Sequence, residues 1–276
     1  MKKGAIALIV IGAVLLLIGI LISLNYIVIR IQSKKYDLID MDPVADKGVE
    51  PDEEGYEQLS EMTMHYLKFG HGEKALILIH GNGGSAYSLT NIAGYFADKY
   101  TVYCVTDRCQ GKSSDPGVIS YELMAKDVYE FICKKGLNKP YVLGHSDGGM
   151  VGIALAANYP DSIGGLVSCG SNSRPETFKP KMTLWVKFQN AIKKDKLNDL
   201  MLEQPDFNEQ YLSRITAPTY IVAGEYDIMY LSDVVYLHES IAGSKMTVYK
   251  RADHSVYLQN GSVCRLAEAF FNGLEE

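Results

Sequence analysis

Short apolar runs alternate with longer amphipathic stretches between residues 75 and 271. The short runs are rich in β-branched residues and predict strands at residues 75–80, 101–106, 139–144, 163–168, 219–223 and 246–249. The longer stretches predict helices at residues 91–97, 121–135, 149–157, 233–241 and 263–271. Because the strands are almost wholly apolar and alternate with helices, the pattern predicts an α/β domain with a mostly parallel sheet covered by helices on both faces.

One interval is too long for a simple crossover between two strands. Residues 173–214 lie between the predicted strands at 163–168 and 219–223 and contain a lysine-rich helical segment, Met182–Phe188. We expect this insertion to form a small helical cap over the carboxyl edge of the sheet, where ligands bind in such folds.

The pattern at the N-terminus is different. No charged residue occurs from Gly4 to Ile29, and about 20 apolar residues suffice to cross a bilayer. Residues 1–30 therefore predict one transmembrane anchor, which is uncleaved because no small-x-small cleavage site follows it. Residues 31–55 are acidic and contain two prolines, which predicts a linker, and residues 56–276 form the remaining domain.

Net charge and cysteine content bear on the expected partners of the protein and on its compartment. The net charge of −6 is unlike that of a nucleic-acid-binding protein, so no nucleic-acid partner is expected. Lysine and arginine flank the predicted anchor on both sides, so the positive-inside rule does not decide its orientation. The five cysteines form no CxxC pair or disulfide pattern, which favours a reducing compartment. A short anchor before a large domain is nevertheless typical of exported enzymes, and we expect the domain to be extracytoplasmic.

The segment Gly144-His-Ser-Asp-Gly148 has the form G-x-S-x-G and lies between a predicted strand and a predicted helix. A serine at such a turn has a strained backbone, and glycine on both sides avoids collisions. The turn raises the Ser146 hydroxyl above the sheet, and the start of the next helix favours a developing oxyanion. Ser146 is therefore a candidate nucleophile.

A serine nucleophile requires a base and an acid that orients the base. In the order expected for this kind of site, Asp227 follows the predicted strand at 219–223 and His254 follows the last strand. The oxyanion requires two N–H donors, for which we predict the backbone amides of Asp147 and Asn82. The Asp147 carboxylate itself is interpreted as compensation of the helix dipole.

These motifs resemble the α/β-hydrolase fold family over about residues 60–274. The resemblance rests on HGNGG at 80–84, GHSDGG at 144–149, APTYIVAGEYD at 217–227 and ADH at 252–254. It implies an eight-stranded, mostly parallel sheet, a Ser146-His254-Asp227 triad, and neither a metal nor an organic cofactor. Relatives often carry D-x-R-G-x-G-x-S after the next strand, but Thr106 and Cys109 replace the first aspartate and first glycine here.

The resulting hypothesis is a membrane-anchored serine hydrolase that cleaves a carboxylic ester or another small-molecule acyl substrate. A C–C bond hydrolase and an aminopeptidase of the same fold remain open, because the pocket and cap determine the substrate. A tethered binding protein without catalysis is a further alternative. Gly81 to Ala86 with Asp107 also matches a dinucleotide-binding pattern. The insertion contains lysines at positions 179, 181, 187, 193, 194 and 196. We interpret them as a solvated helix face, with contact to anionic lipid headgroups near the anchor as the alternative.

Overall fold

The computed structural model describes residues 2–33, 38–39, 49–256 and 261–275, and within residues 2–33 it describes the side chains of 10–24, 26 and 27. The helices are α1 (Lys2–Ser33), α2 (Thr90–Phe96), α3 (Tyr121–Lys135), α4 (Asp147–Asn158), α5 (Pro180–Ile192), α6 (Lys196–Glu203), α7 (Glu209–Leu212), α8 (Leu231–Ser240) and α9 (Gly261–Asn272). The strands are β1 (Leu38–Ile39), β2 (Glu53–Gln58), β3 (Thr63–Phe69), β4 (Lys74–Ile79), β5 (Tyr100–Val105), β6 (Tyr141–His145), β7 (Gly165–Cys169), β8 (Thr219–Gly224) and β9 (Lys245–Tyr249).

The strands of the described residues form one sheet in the order β1, β9, β8, β7, β6, β4, β5, β3, β2. Strand β3 runs antiparallel to β2 and β5, and the other neighbouring pairs are parallel. Strands β2 to β9 are the eight-stranded, mostly parallel sheet that the resemblance implies, and the two-residue β1 extends one edge.

The sheet is covered on both faces, as the apolar strands predict. In β4, Ile77 and Ile79 belong to a buried cluster with side chains of α3, α4 and α8. The alternate residues Leu76 and Leu78 belong to a second cluster with side chains of α2 and α9. Successive side chains of a strand point to opposite faces, so a strand with two buried faces is apolar at every position.

The antiparallel edge begins earlier than the predicted domain boundary. Strand β2 starts at Glu53, inside the interval 31–55 that was expected to be a linker. Its acidic side chains are mostly exposed, and the strand is held by its pairing with β3 rather than by burial. Charged residues on an edge strand also discourage pairing with another chain. Of the predicted linker, residues 34–37 and 40–48 lie outside the described residues.

The predicted anchor falls on α1. The side chains of residues 10–24 are exposed, while the side chains of residues 2–9 lie outside the described part of the chain. Within the residues whose placement is described, no helix combines the length and hydropathy needed to cross a bilayer. The transmembrane helix predicted within residues 1–30 is therefore not confirmed.

The insertion at 173–214 contains α5, α6 and α7. Helices α5 and α6 line one side of a cavity whose opposite side includes Ser146. The loop after β8 is joined to the start of α5, because the Lys179 N–H donates to the Ile228 carbonyl at 2.8 Å.

Candidate active site

Ser146 occupies a strained turn between β6 and α4. Its φ of 55° and ψ of −119° lie in a region that residues with a side chain rarely adopt. A Cβ atom at Gly144 would lie 2.1 Å from the Gly148 carbonyl oxygen, and one at Gly148 would lie 2.2 Å from that of Ile79. Both positions therefore require glycine, for the steric reason that the sequence motif indicates.

The structure brings Ser146, His254 and Asp227 together from three separate loops. His254 Nε2 lies 3.0 Å from Ser146 Oγ, and His254 Nδ1 lies 2.6 Å from Asp227 Oδ1. A carboxylate can only accept, so Nδ1 carries the hydrogen and Nε2 of the neutral ring accepts from the serine hydroxyl. This is the arrangement that a serine nucleophile requires.

The surroundings of Asp227 and His254 shift the pKa values of these two side chains in opposite directions. Burial alone would raise the pKa of Asp227, but the charge and hydrogen bond of His254, together with the Gly224 and Ile228 amides, bring that pKa below its ordinary value. Burial opposes charging of His254, yet the Asp227 carboxylate raises the pKa of His254 above its ordinary value. Asp227 is therefore ionised near neutral pH and stabilises an imidazolium on His254.

The two predicted oxyanion donors are linked through their side chains. Asp147 is the first residue of α4, so its N–H has no acceptor within the helix. The Asn82 side-chain amide donates to Asp147 Oδ2 at 2.9 Å and to the Leu197 carbonyl at 3.3 Å. The loop after β4, the start of α4 and the cap are thereby held together at Asn82.

The Asp147 side chain has more contacts than a residue that only compensates a helix dipole. It is fully buried, and Tyr121 donates its hydroxyl to Asp147 Oδ1 at 3.0 Å. Burial raises the pKa of Asp147 to about 6, against the lowering effect of the bonds from Asn82 and Tyr121. The charge on this carboxyl group also contributes to the raised pKa of His254.

Two further residues hold the site, and sequence reasoning did not identify their roles. His145 Nε2 lies 2.8 Å from the His254 carbonyl, and because a carbonyl only accepts, this nitrogen is the donor. Lys179 donates its ammonium to the carbonyl of Asp227. His145 adjoins Ser146 in sequence, which was the only signal for it, whereas nothing in the sequence pairs Lys179 with Asp227.

The cavity beside Ser146 has a volume of about 550 Å³. On the sheet side it is lined by the loop after β4, by Ser146 and by His254. On the cap side the lining side chains are mostly large and apolar, and they include Met182, Trp185, Val186, Leu197 and Met201. This volume and lining suit a small molecule with an apolar part.

The residues that match the dinucleotide-binding pattern make other contacts in the structure. Asp107, which would bind a ribose, is fully buried, and burial next to Asp147 and Asp127 raises its pKa well above the usual range. Its N–H donates to His80 Nε2 at 3.1 Å, and His80 Nδ1 bonds to the Gly81 carbonyl at 2.7 Å. Burial lowers the pKa of His80 to about 4, so this histidine is neutral. Among the described residues, no three His, Cys, Asp or Glu side chains are grouped as metal ligands.

Comparisons with known proteins agree with this architecture. Residues 74–198 match the family model for the α/β-hydrolase fold. The chain is 30% identical over 141 residues to epoxide hydrolase 1 of Caenorhabditis elegans, a match that covers 49% of this chain and 35% of that protein. It is 28% identical over 145 residues to 2-hydroxy-6-oxononadienedioate/2-hydroxy-6-oxononatrienedioate hydrolase of Burkholderia vietnamiensis, covering 49% of this chain and 50% of that protein.

A solved structure extends the likeness beyond the matched segment. Carboxylesterase CesB of Bacillus subtilis superposes with a TM-score of 0.67 at 17% identity, covering 81% of this chain and 92% of that chain. The chain spans only 35% to 50% of the length of the curated relatives it matches. The matched segment and the sheet topology together show that this chain has the α/β-hydrolase fold.

Proposed function

We propose that this protein is a serine hydrolase that cleaves a carboxylic ester or a related small acyl substrate. The observation that carries the proposal is the hydrogen-bonded chain from Ser146 through His254 to Asp227, at 3.0 and 2.6 Å, on the wall of the cavity. Asp227 is ionised near neutral pH, and the neutral form of His254 is oriented to accept the Ser146 proton.

In the proposed reaction, Ser146 Oγ attacks the carbonyl carbon while His254 Nε2 takes the hydroxyl proton. Asp227 keeps the imidazole in the correct tautomer and stabilises the imidazolium. His254 then gives the proton to the leaving group, and the acyl group stays on Ser146. Water, activated by the same histidine, hydrolyses the acyl-enzyme and restores the serine.

The backbone amides of Asn82 and Asp147 are the proposed donors to the tetrahedral oxyanion. Support comes from the position of Asp147 at the start of α4 and from the bond that holds the Asn82 side chain to the Asp147 carboxyl group. Donors that are fixed before the reaction need no reorganisation as the charge develops, which makes such stabilisation effective.

The nucleophile distinguishes this proposal from the activity of one relative. An epoxide hydrolase of this fold forms an alkyl-enzyme ester, which requires a carboxylate nucleophile, whereas residue 146 is a serine. A C–C bond hydrolase of the same fold is the second candidate, and the relative from Burkholderia vietnamiensis is named as a 2-hydroxy-6-oxononadienedioate/2-hydroxy-6-oxononatrienedioate hydrolase. An ester chain-length series compared with aminoacyl anilides and vinylogous diketones would separate ester, peptide and C–C cleavage.

The test of the mechanism is labelling of the full chain with a fluorophosphonate. We expect the wild type to react covalently and Ser146→Ala and His254→Ala not to react. Ser88→Ala is a matched control, since Ser88 lines the same cavity but lies away from the hydrogen-bonded chain, and it should label like the wild type. A folded wild type that does not react would overturn the proposal and favour a binding protein without catalysis.

We further propose that residues 1–30 attach the protein to a membrane with the catalytic domain outside the cytoplasm. Support comes from the uncharged sequence Gly4 to Ile29 and from the exposure of residues 10–24. Protease added to intact cells should then digest the domain. Digestion only after lysis would reverse the orientation, and extraction at alkaline pH would rule out the anchor.

A further inference from the structure

The outer face of cap helix α5 is apolar and uncovered in the described part of the chain. Leu184, Trp185, Phe188 and Ile192 are 67%, 55%, 58% and 67% exposed, whereas Val186 on the opposite face is 3% exposed. Leu184, Phe188 and Ile192 are spaced four residues apart and therefore lie on one side of the helix. Large apolar residues clustered on one exposed surface mark an interaction site.

The charged side chains of α5 itself are all lysines, while Glu176, which precedes the helix, lines the same groove as Leu184 and Lys187. Helix α5 contains no aspartate or glutamate, and Lys181, Lys187 and Lys193 are exposed along it and at its end. This local positive charge contrasts with the net charge of −6 for the whole chain. The other three lysines of the insertion differ, because Lys196 pairs with Asp115 at 2.7 Å, Lys194 lies 3.6 Å from Asp199, and Lys179 is held in the site.

A helix with tryptophan, phenylalanine and leucine on one face and lysine beside them is typical of binding at a lipid surface. Each lysine close to an anionic membrane adds a favourable electrostatic term, and the aromatic rings sit at headgroup level. A protein partner would not require the charged side chains of α5 to be lysines alone, so an anionic bilayer accounts for more of the observations.

The outer face of α5 reaches the cavity, and the start of this helix is linked to α1 through the loop after β8. Trp185 lines the cavity beside Ser146 while remaining exposed, so the apolar face reaches the cavity wall. The loop after β8 is held to the start of α5 and also contacts α1, whose Tyr26 ring stacks on Tyr226 at 5.9 Å. Helix α1, through Tyr26, and the start of α5, through Lys179, thus contact the same loop.

We propose that the outer face of α5 binds an anionic membrane surface and that the substrate is a lipid-phase acyl ester, which reaches Ser146 past Trp185. The membrane contact stands independently, whereas the substrate class rests on the proposed hydrolase function. The reaction itself is the acyl transfer described above, with water as the second substrate.

Trp185 makes the contact directly measurable, because it is the only tryptophan of the chain. The full-length protein would be reconstituted with vesicles of phosphatidylcholine, with or without phosphatidylglycerol, that carry brominated acyl chains. We expect bromine to quench Trp185 emission strongly in the anionic vesicles, and high salt to reduce that quenching. Ser146→Ala should be quenched to the same extent, which separates membrane contact from catalysis.

The charge variant Lys181→Gln/Lys187→Gln/Lys193→Gln should weaken the contact by roughly fivefold for each lysine. Lys134→Gln/Lys139→Gln/Lys245→Gln removes the same charge from exposed positions elsewhere and should behave like the wild type. Equal quenching in both vesicle types, or none in protein that floats with the vesicles, would overturn the contact. A blue-shifted emission without quenching would show that protein covers the face instead.

The substrate class is tested by a ratio of two activities. Leu184→Ser/Phe188→Ser should lower hydrolysis of a long-chain ester in anionic vesicles, relative to a water-soluble ester, by roughly tenfold. An unchanged ratio would overturn the lipid-phase substrate even where Trp185 quenching persists. A wild type that fails to react with fluorophosphonate but is still quenched would refute the hydrolase function and leave the membrane contact standing.

Discussion

The two walls of the cavity are built differently. The sheet wall carries Ser146 and His254, which are held with Asp227 by directional hydrogen bonds at 3.0 and 2.6 Å. The cap wall carries mostly apolar side chains from α5 and α6, such as Met182 and Met201, whose packing is non-directional.

This difference assigns separate tasks to the two walls. Proton transfer and oxyanion stabilisation require fixed atoms, which a parallel sheet with buried strand ends provides. Selection among substrates requires a shaped apolar surface, where small changes of volume alter binding by modest factors. Substitutions in the sheet wall should therefore change the rate for every substrate, and substitutions in the cap wall should change which substrate is preferred.

The largest expected effect is that of Asp227→Asn. The side-chain amide would present a donor to His254 Nδ1, which stabilises the wrong tautomer, so kcat should fall about 10⁴-fold with KM little changed. Steady-state hydrolysis of a soluble ester measures this. Asp253→Asn changes an exposed carboxylate next to His254 in sequence and should alter kcat by less than about tenfold. Equal losses for the two variants would mean that Asp227 does not orient the histidine.

Much of this wall could be predicted from the sequence. The six apolar strands lie within two residues of their predicted bounds, because strands buried on both faces are apolar throughout. Strands β2 and β3 could not be predicted in the same way. Strand β2 is exposed at four of its six positions and acidic at three, and only its pairing with β3 makes it a strand.

The sequence also indicated the three side chains of the proposed triad through their order after strand ends. It could not indicate the supports, since the direction of His145 depends on the pleat of β6 and that of Lys179 on how the insertion folds. Arg108, in the segment that departs from the family pattern, is buried and bonds to both carboxyl oxygens of Asp127 at 2.6 and 2.7 Å. Its role in the structure is therefore to hold α3.

Substitution of His145 tests whether the sheet wall acts by positioning His254. His145→Phe keeps a ring next to His254 but removes the donor to its carbonyl, and kcat should fall about tenfold, equivalent to one hydrogen bond. KM and the pH at half-maximal activity should stay close to the wild type. His145→Gln restores a donor and should recover part of kcat; no recovery would indicate loss of packing instead.

The Asp147 charge should set the acid limit of activity. His254 must be neutral to accept a proton, and the Asp147 carboxylate contributes to raising the pKa of His254. Asp147→Asn removes that contribution, so the pKa of His254 falls and the pH at half-maximal kcat/KM moves lower. At acid pH, kcat/KM should therefore rise severalfold above that of the wild type. Asp233→Asn neutralises a buried carboxyl group that bonds to Ser173 instead, and it should leave the limit unchanged. A shift to higher pH for Asp147→Asn would contradict the electrostatic account.

The smallest effect belongs to the cap wall. Met182 lines the cavity from α5, and Met182→Ala should enlarge the acyl pocket. Long esters should then gain relative to short ones by about threefold in kcat/KM, because each additional methylene contributes modestly to binding in an apolar pocket. A p-nitrophenyl ester series would measure this, with Leu184→Ala as control, since Leu184 is on the same helix but outside this cavity. If Met182→Ala slowed all esters equally, the cap would act on the rate as the sheet wall does, and the division of tasks between the two walls would be wrong.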